Sequence, residues 1–255
     1  MTTQEKNGIT EGVIWKQLLI FFFPILVGSF FQQLYNTVDS VIVGQFVGKE
    51  ALSSVGGSAG QIISLVVGFF TGVSTGATVI ISQYFGAGKK EEIEESLHTA
   101  YAFALVGGLV LGIAGIVFAP QMLRWMNTPE ELIAESVLYV RVYFSGLIFI
   151  FIYNMGAAIL RAVGDSKRPL YYLIVCSVVN IILDLLLILV IPLGVLGAAI
   201  ATLIAQAVSV VFSAGYMRRR PLPFQVTRDS FRRKGMVGRI LKVGAPIALQ
   251  DFLVN

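Results

Sequence analysis

The sequence predicts an all-α, polytopic membrane helix bundle: six transmembrane helices plus the start of a seventh. Three observations carry this. The 255 residues are 56% hydrophobic and only 13% charged, against about 25% charged in an average soluble domain. The apolar residues gather in six long runs, roughly 17–43, 59–83, 97–119, 132–158, 170–192 and 195–217. About 20 such residues cross a hydrocarbon core of ~30 Å. The basic residues are sorted between the connections, as described below.

In chain order, residues 1–14 form a polar N-terminal segment. The first run is too long for a signal peptide, and Asp39 follows with no small-residue cleavage pattern. Pro24 lies inside it and predicts a helix kink, because proline removes one backbone bond. The second run carries Gly68, Gly72 and Gly76 on one face, a seam for close helix approach. The connection 86–96, GAGKKEEIEES, reads as a charged loop whose glycines suit a helix C-cap. No Gly-Lys-Ser/Thr pattern follows, so it is not a phosphate loop. His98, the only histidine, falls at the next helix entrance and reads as solvated or interfacial. Residues 120–131, PQMLRWMNTPEE, read as a short helix-turn at the membrane surface, and 161–169 as a loop in which Asp165 needs no special role. The sixth run repeats a small-residue stripe, Gly197, Ala201 and Ala205. The single cysteine, Cys176, excludes an intramolecular disulfide and reads as a packing residue.

Residues 15–217 thus form a six-helix lobe, 218–238 a basic linker, and 239–255 the start of a second, truncated lobe. That last stretch, RILKVGAPIALQDFLVN, echoes WKQLLIFFFPILVGSFFQQLYN of the first run: lysine, a proline-isoleucine pair and glutamine recur in order. Internal repeats of this kind are common in transporters.

Six spans place both ends of the lobe on one side. Of the 19 Lys and Arg, only Lys49, Arg124 and Arg141 fall on the other. The positive-inside rule then puts the N-terminus in the cytoplasm and the protein in the cell membrane. The net charge of +4 is accounted for by this topology signal. The expected partner of the basic stretch is membrane lipid, with no nucleic acid.

The most informative residue is Asp184. It is the one charge in the 23 residues from Leu170 to Pro192. A carboxylate at that depth costs roughly 2.5 kcal/mol or more, so it marks a functional site by default. Helix direction sets its level. Asp39 lies late in the first helix, Tyr139 early in the fourth and Thr202 early in the sixth, all in the half of the membrane that holds Asp184. Asn180 is one turn from Asp184, and Tyr35 one turn from Asp39. Two carboxyls with an amide, a hydroxyl and phenols can hold a proton, since a carboxyl group out of water favours its neutral form. The oxygens of Asp39, Asn180, Asp184 and Thr202 can equally ligate Na+, a hard cation. The plainer alternative is a hydrogen-bonded cluster that only ties helices together, a task an amide would do at lower cost. No nucleophile–histidine pair, metal-ligand Cys/His cluster or nucleotide motif is present. The reading is therefore not an enzyme, with no cofactor beyond a coupling ion, H+ or Na+.

These residues carry a family likeness. DSVIVGQFVGKEALSSVG at 39–56, ISQYFGAGKKEE at 81–92, LRAVGDSKRP at 160–169, NIILDLLLI at 180–188 and GVLGAAIATLIAQ at 194–206 occur in order. The chain resembles the N-terminal half of the multidrug and toxic compound extrusion (MATE) transporters. The resemblance implies two six-helix lobes around a cavity and cation-coupled antiport of organic cations and drugs across the cytoplasmic membrane. It matches Asp39, Asn180, Asp184, Thr202 and Tyr139 to the family's cation or proton site, and Pro24 to the kink of its first helix. Gln33 and Asn154 become candidates for the drug cavity. Family members have twelve helices, so the resemblance implies a C-terminal lobe as partner to this one. Two other readings stand beside it. One is a lipid or lipid-linked glycan flippase of a related superfamily, disfavoured because the membrane interior holds acids and no deep Lys or Arg. The other is a folded but inactive fragment.

Overall fold

A computed structural model of the chain describes residues 13–219, 238, 240, 242–247 and 249. Helix α1 (Ile14–Ile42) continues past Pro24 and ends in a π-helical turn, Val43–Val47. Gly48 then reverses the chain with φ 127°, a conformation open to glycine and strained for other residues. Helices α2 (Lys49–Gly56) and α3 (Ser58–Gly86) follow, then α4 (Lys90–Trp125), α5 (Glu130–Ser145), α6 (Leu147–Ala162) and α7 (Lys167–Asp184). A second π-helical turn, Leu185–Val190, leads to α8 (Val195–Arg219). Among the described residues there is no strand.

Five segments are long and apolar enough to cross a membrane: Trp15–Val47, Lys49–Gly86, Lys90–Trp125, Lys167–Val190 and Val195–Gly215. The sixth crossing is the pair α5 and α6, bent by 49°. The run 132–158 gives no sign of that break. Its cause is tertiary: at Gly146, between the two helices, a Cβ would come within 2.9 Å of Leu203 Cγ on α8. Large apolar side chains such as Val106, Val110, Val117 and Phe118 on α4 stand exposed around the bundle, as a lipid-facing surface requires. The end carrying Lys89, Lys90, Arg161, Lys167 and Arg168 is called the basic end below.

Packing rests on small residues and stacked rings, as expected where lipid removes the hydrophobic drive between helices. Phe70 of α3 stacks on Phe151 of α6, with centroids 3.5 Å apart, and on Phe103 of α4 at 5.9 Å. A glycine stripe on α4, absent from the sequence expectations, lets the α5–α6 bend press close. A Cβ on Gly108 would meet the Ile148 backbone at 2.8 Å, and one on Gly115 would overlap the Phe144 ring at 1.7 Å. The α3 seam is real but shifted. A Cβ on Gly76 would meet Gly244 Cα at 2.5 Å and one on Gly244 would meet Val73 Cα at 2.8 Å, whereas Gly68 has nothing within 4 Å. In α8, a Cβ on Gly197 would meet the Leu187 carbonyl oxygen at 3.0 Å, and Ala201 and Ala205 are buried.

Four local expectations need correction. The stretch 86–96 is mostly helix: α4 starts at Lys90, with Glu91 and Glu92 in its first turn, where a helix N-terminus favours negative charge. Gly88 does adopt the left-handed conformation expected after a helix end, φ 69°. Residues 120–125 prolong α4 through Pro120 and do not form a separate surface helix-turn. His98 is buried, at 4% exposure, because α4 begins two turns earlier and carries it into the bundle. Asp165 has a role after all: its carboxylate accepts from the Arg168 backbone N–H at 3.2 Å and pairs with the Arg168 guanidinium, fixing the start of α7. Most of the basic linker, residues 220–237, lies outside the described residues. Of the seventh run, the described residues are helical.

Candidate cation site

Both acids stand where a helix changes its winding. Asp184 is the last residue of α7, directly before the π-helical turn Leu185–Val190, and Asp39 is one turn before Val43–Val47. The two π-helical turns touch each other. Such turns recur at functional sites. Neither was foreseen, since an apolar run such as LLLILV carries no signal for a change from four- to five-residue hydrogen bonding.

Four helices bring the expected groups together. Helices α1 and α7 pack along their length, and α8 packs on α7 and α5. Asp184 is fully buried and Asn180 nearly so, at 1%. The Asp39 and Asp184 carboxyls lie within hydrogen-bonding reach of each other. Tyr35 and Tyr139 are close enough to feel the charge of both acids. The Asn180 amide donates to Thr202 Oγ1 at 3.4 Å, and Thr202 Oγ1 donates to the Ala198 carbonyl at 3.1 Å. Tyr143 also senses Asp39, and its ring centroid is 6.1 Å from that of Tyr139. Sequence reasoning missed Tyr143, although its four-residue spacing from Tyr139 puts both phenols on one helix face.

The chemistry of the site is an excess of acceptors. Asp39 Oδ1, Asn180 Oδ1 and both Asp184 carboxyl oxygens are buried without a hydrogen-bond donor. Two ionised carboxylates facing one another are two acceptors. One proton between them turns the contact into a hydrogen bond, and a cation among the four oxygens would neutralise it equally. Leaving buried acceptors unpaired costs about 1–3 kcal/mol each, so the geometry favours a bound positive species.

The beginning of α5, which carries Tyr139, is held from the side. Ser54 Oγ on α2 donates to Glu135 Oε2 at 3.3 Å, and Ser136 Oγ donates to the Ser54 carbonyl at 3.1 Å. Pro24 is buried in α1. Gln33 is exposed on α1 and Asn154 half-buried on α6. Exposed hydroxyls line these outer faces: Ser29, Thr37 and Ser40 on α1 and Thr71 and Thr75 on α3. Each donates to its own helix, for example Thr37 Oγ1 to the Gln33 carbonyl at 2.9 Å and Thr75 Oγ1 to that of Thr71 at 3.0 Å. Among the described residues, no group of three or more His, Cys, Asp or Glu gathers to hold a metal ion. An Asp–Asp–Asn–Thr oxygen set is a different type of site.

A family model described as MatE matches residues 24–186, the stretch that runs from the α1 proline to the acid of α7. The chain belongs to the MatE family. This MatE chain is 32% identical over 263 residues to "Probable multidrug resistance protein YoeA" of Bacillus subtilis (strain 168), covering 100% of the chain and 56% of that protein. It is 32% identical over 250 residues to YpnP of the same organism, also named a probable multidrug resistance protein, covering 96% and 55%. Among solved structures it matches an outward-facing multidrug resistance MATE family transporter of the MOP superfamily. The TM-score is 0.90 at 27% identity, over 99% of this chain and 56% of that one. The chain therefore spans about half the length of the curated relatives it matches.

Proposed function

We propose that this MatE chain is the N-terminal lobe of a cation-coupled antiporter that exports organic cations and drugs across the cytoplasmic membrane. The carrying observation is the carboxyl pair, the buried Asp184 and the half-buried Asp39, with more acceptors than donors around it. A proton is the coupling ion the geometry favours, because the carboxyls approach each other closely enough to share one. Sodium, held by Asp39, Asn180, Asp184 and Thr202, is the second reading, supported by the same unpaired oxygens. The multidrug names of the relatives and the acids of the membrane interior support cationic cargo.

The mechanism follows from the site's place on α1. With the pair charged, Asp39 and Asp184 repel each other and α1 is held off α7. Proton binding removes that repulsion and draws the end of α1 toward α7. Pro24, where α1 has one backbone bond fewer, is where that pull is absorbed as bending. The hydroxyl faces of α1 and α3, with Gln33 and Asn154, form this lobe's share of the drug cavity, and a C-terminal lobe forms the rest. The positive-inside bias places the basic end in the cytoplasm. In the complete transporter, Asp184→Asn is expected to abolish drug efflux at normal expression. Undiminished efflux by that variant would contradict the reading.

A further inference from the structure

Helix α4 contains a proline, Pro120, well before its end at Trp125. Proline has no N–H, so the Ile116 carbonyl one turn earlier loses its donor within the helix. A donor reaches it from α5 instead: Arg141 Nε donates to the Ile116 carbonyl at 3.2 Å. The glycine seam makes this reach possible. Phe144, three residues along α5 from Arg141, packs its ring on Gly115, the residue before Ile116. Arg141 thus mends the break that Pro120 leaves, and the bond fixes how its guanidinium lies.

That bond uses only the Nε–H. The N–H groups of Nη1 and Nη2 donate to nothing among the described residues, and no carboxylate there pairs with Arg141. Arg141 is exposed, and so are the apolar residues at neighbouring positions of both helices, Ile113, Val117 and Leu138. The guanidinium therefore lies on the lipid-facing side. Its depth follows from α4, which runs from Lys90 to Trp125 and has its midpoint at Gly107–Gly108. Ile116 is about 13 Å beyond that point at 1.5 Å per residue. Half of the hydrocarbon core is ~15 Å. With α4 centred in the bilayer, the charge stands just inside the hydrocarbon edge, on the side away from the basic end. An unpaired charge at that level is costly, and arginine relieves the cost by turning its head to the interface. The groups waiting there are lipid phosphates, which accept two parallel N–H bonds from one guanidinium. A net-negative headgroup fits better than a zwitterionic one, which brings its own cation.

We propose that Arg141, fixed on the Ile116 carbonyl beside Pro120, holds the phosphate of an anionic phospholipid at the α4–α5 corner, in the leaflet away from the basic end. The Nη groups bind the phosphate, and the exposed apolar faces of Ile113, Val117 and Leu138 receive the acyl chains. The site is separate from the cation site. Tyr139, two residues before Arg141, is buried on the opposite face of α5. The lipid thus braces from behind the helix that presents Tyr139 to the carboxyl pair.

Fluorescence quenching in vesicles tests this. The chain has two tryptophans, Trp15 and Trp125. Trp15→Phe and Trp125→Phe with Ile113→Trp leave one indole, at an exposed α4 position one turn deeper than Ile116. The 255-residue chain so marked is placed in phosphatidylcholine vesicles with a minor share of phosphatidylglycerol. One lipid or the other carries bromine in its acyl chains, and bromine quenches an indole it touches. The proposal expects phosphatidylglycerol to be enriched at that indole about fivefold over phosphatidylcholine, equivalent to the ~1 kcal/mol of one basic residue at a membrane surface. Arg141→Gln should bring the two lipids level. Arg124→Gln, which removes the exposed cation two turns further along α4, should leave the enrichment in place. So should about 1 M NaCl, which screens diffuse surface charge to a Debye length of about 3 Å. Equal quenching by both lipids in the marked chain overturns the proposal, whether or not the Arg141 variant folds. Enrichment that vanishes in salt or with Arg124→Gln, or that survives Arg141→Gln, overturns it in favour of surface charge alone.

Discussion

At the scale of single residues, Asp184 was legible because a charge inside 23 apolar residues has no cheap structural excuse. Asp39, Tyr139 and Thr202 were legible because helix direction converts sequence position into depth. Tyr143 was not sought, and His98 was read as solvated or interfacial because the start of α4 was set about two turns too late. The glycines of α4 were invisible for a different reason: a Gly in a membrane helix announces close approach only when its neighbour is known. That neighbour is the Phe144 ring at Gly115. Phe144 is buried at 3% exposure, so it has little room to yield. Gly115→Ala is expected to overpack this contact and destabilise the lobe by about 1–3 kcal/mol. Thermal unfolding in detergent should show a Tm lower by about 2–4 °C for each kcal/mol; an unchanged Tm would mean the seam opens freely.

At the scale of elements, the six crossings were readable from run length, while the 49° break in the α5–α6 crossing and the two π-helical turns were not. Those three features depend on contacts between helices: Leu203 against Gly146, and the turns after Asp39 and Asp184 against each other. Both concern the helices that build the site, so the fold bends where the chemistry is. The α3 seam offers an element-scale test. Gly76→Leu would drive a side chain into Gly244, whose Cα already stands 2.5 Å from a Cβ at that position. The helical residues 242–247 should detach from α3, with backbone amide exchange in that stretch rising well above wild type and exchange in α7 unchanged. Equal exchange in both proteins would show that the seam does not hold this segment. Clasp residues on α2 make a milder case. Ser54→Ala removes the donor to Glu135 and leaves Tyr139 less firmly placed, at a cost of about 0.5–1.5 kcal/mol. The expected readout is weaker drug efflux by the complete transporter at normal expression, with full efflux contradicting a positioning role.

At the scale of the whole molecule, membership of the MatE family, an all-helical membrane lobe and coverage of about half of each relative fit together. The proposal of a cation-coupled lobe adds to these a positive species between α1 and α7 and a hydroxyl-lined face shared with a second lobe. The central claim is that the carboxyl pair couples drug movement to a cation gradient. It is tested most directly by drug flux in vesicles holding the complete transporter, with pH and sodium gradients imposed independently. The account predicts that a pH gradient alone drives flux in the wild type and that Asp184→Asn abolishes it with the protein intact in the membrane. Flux driven by sodium alone would contradict the proton assignment. Flux that persists in Asp184→Asn would contradict the site itself.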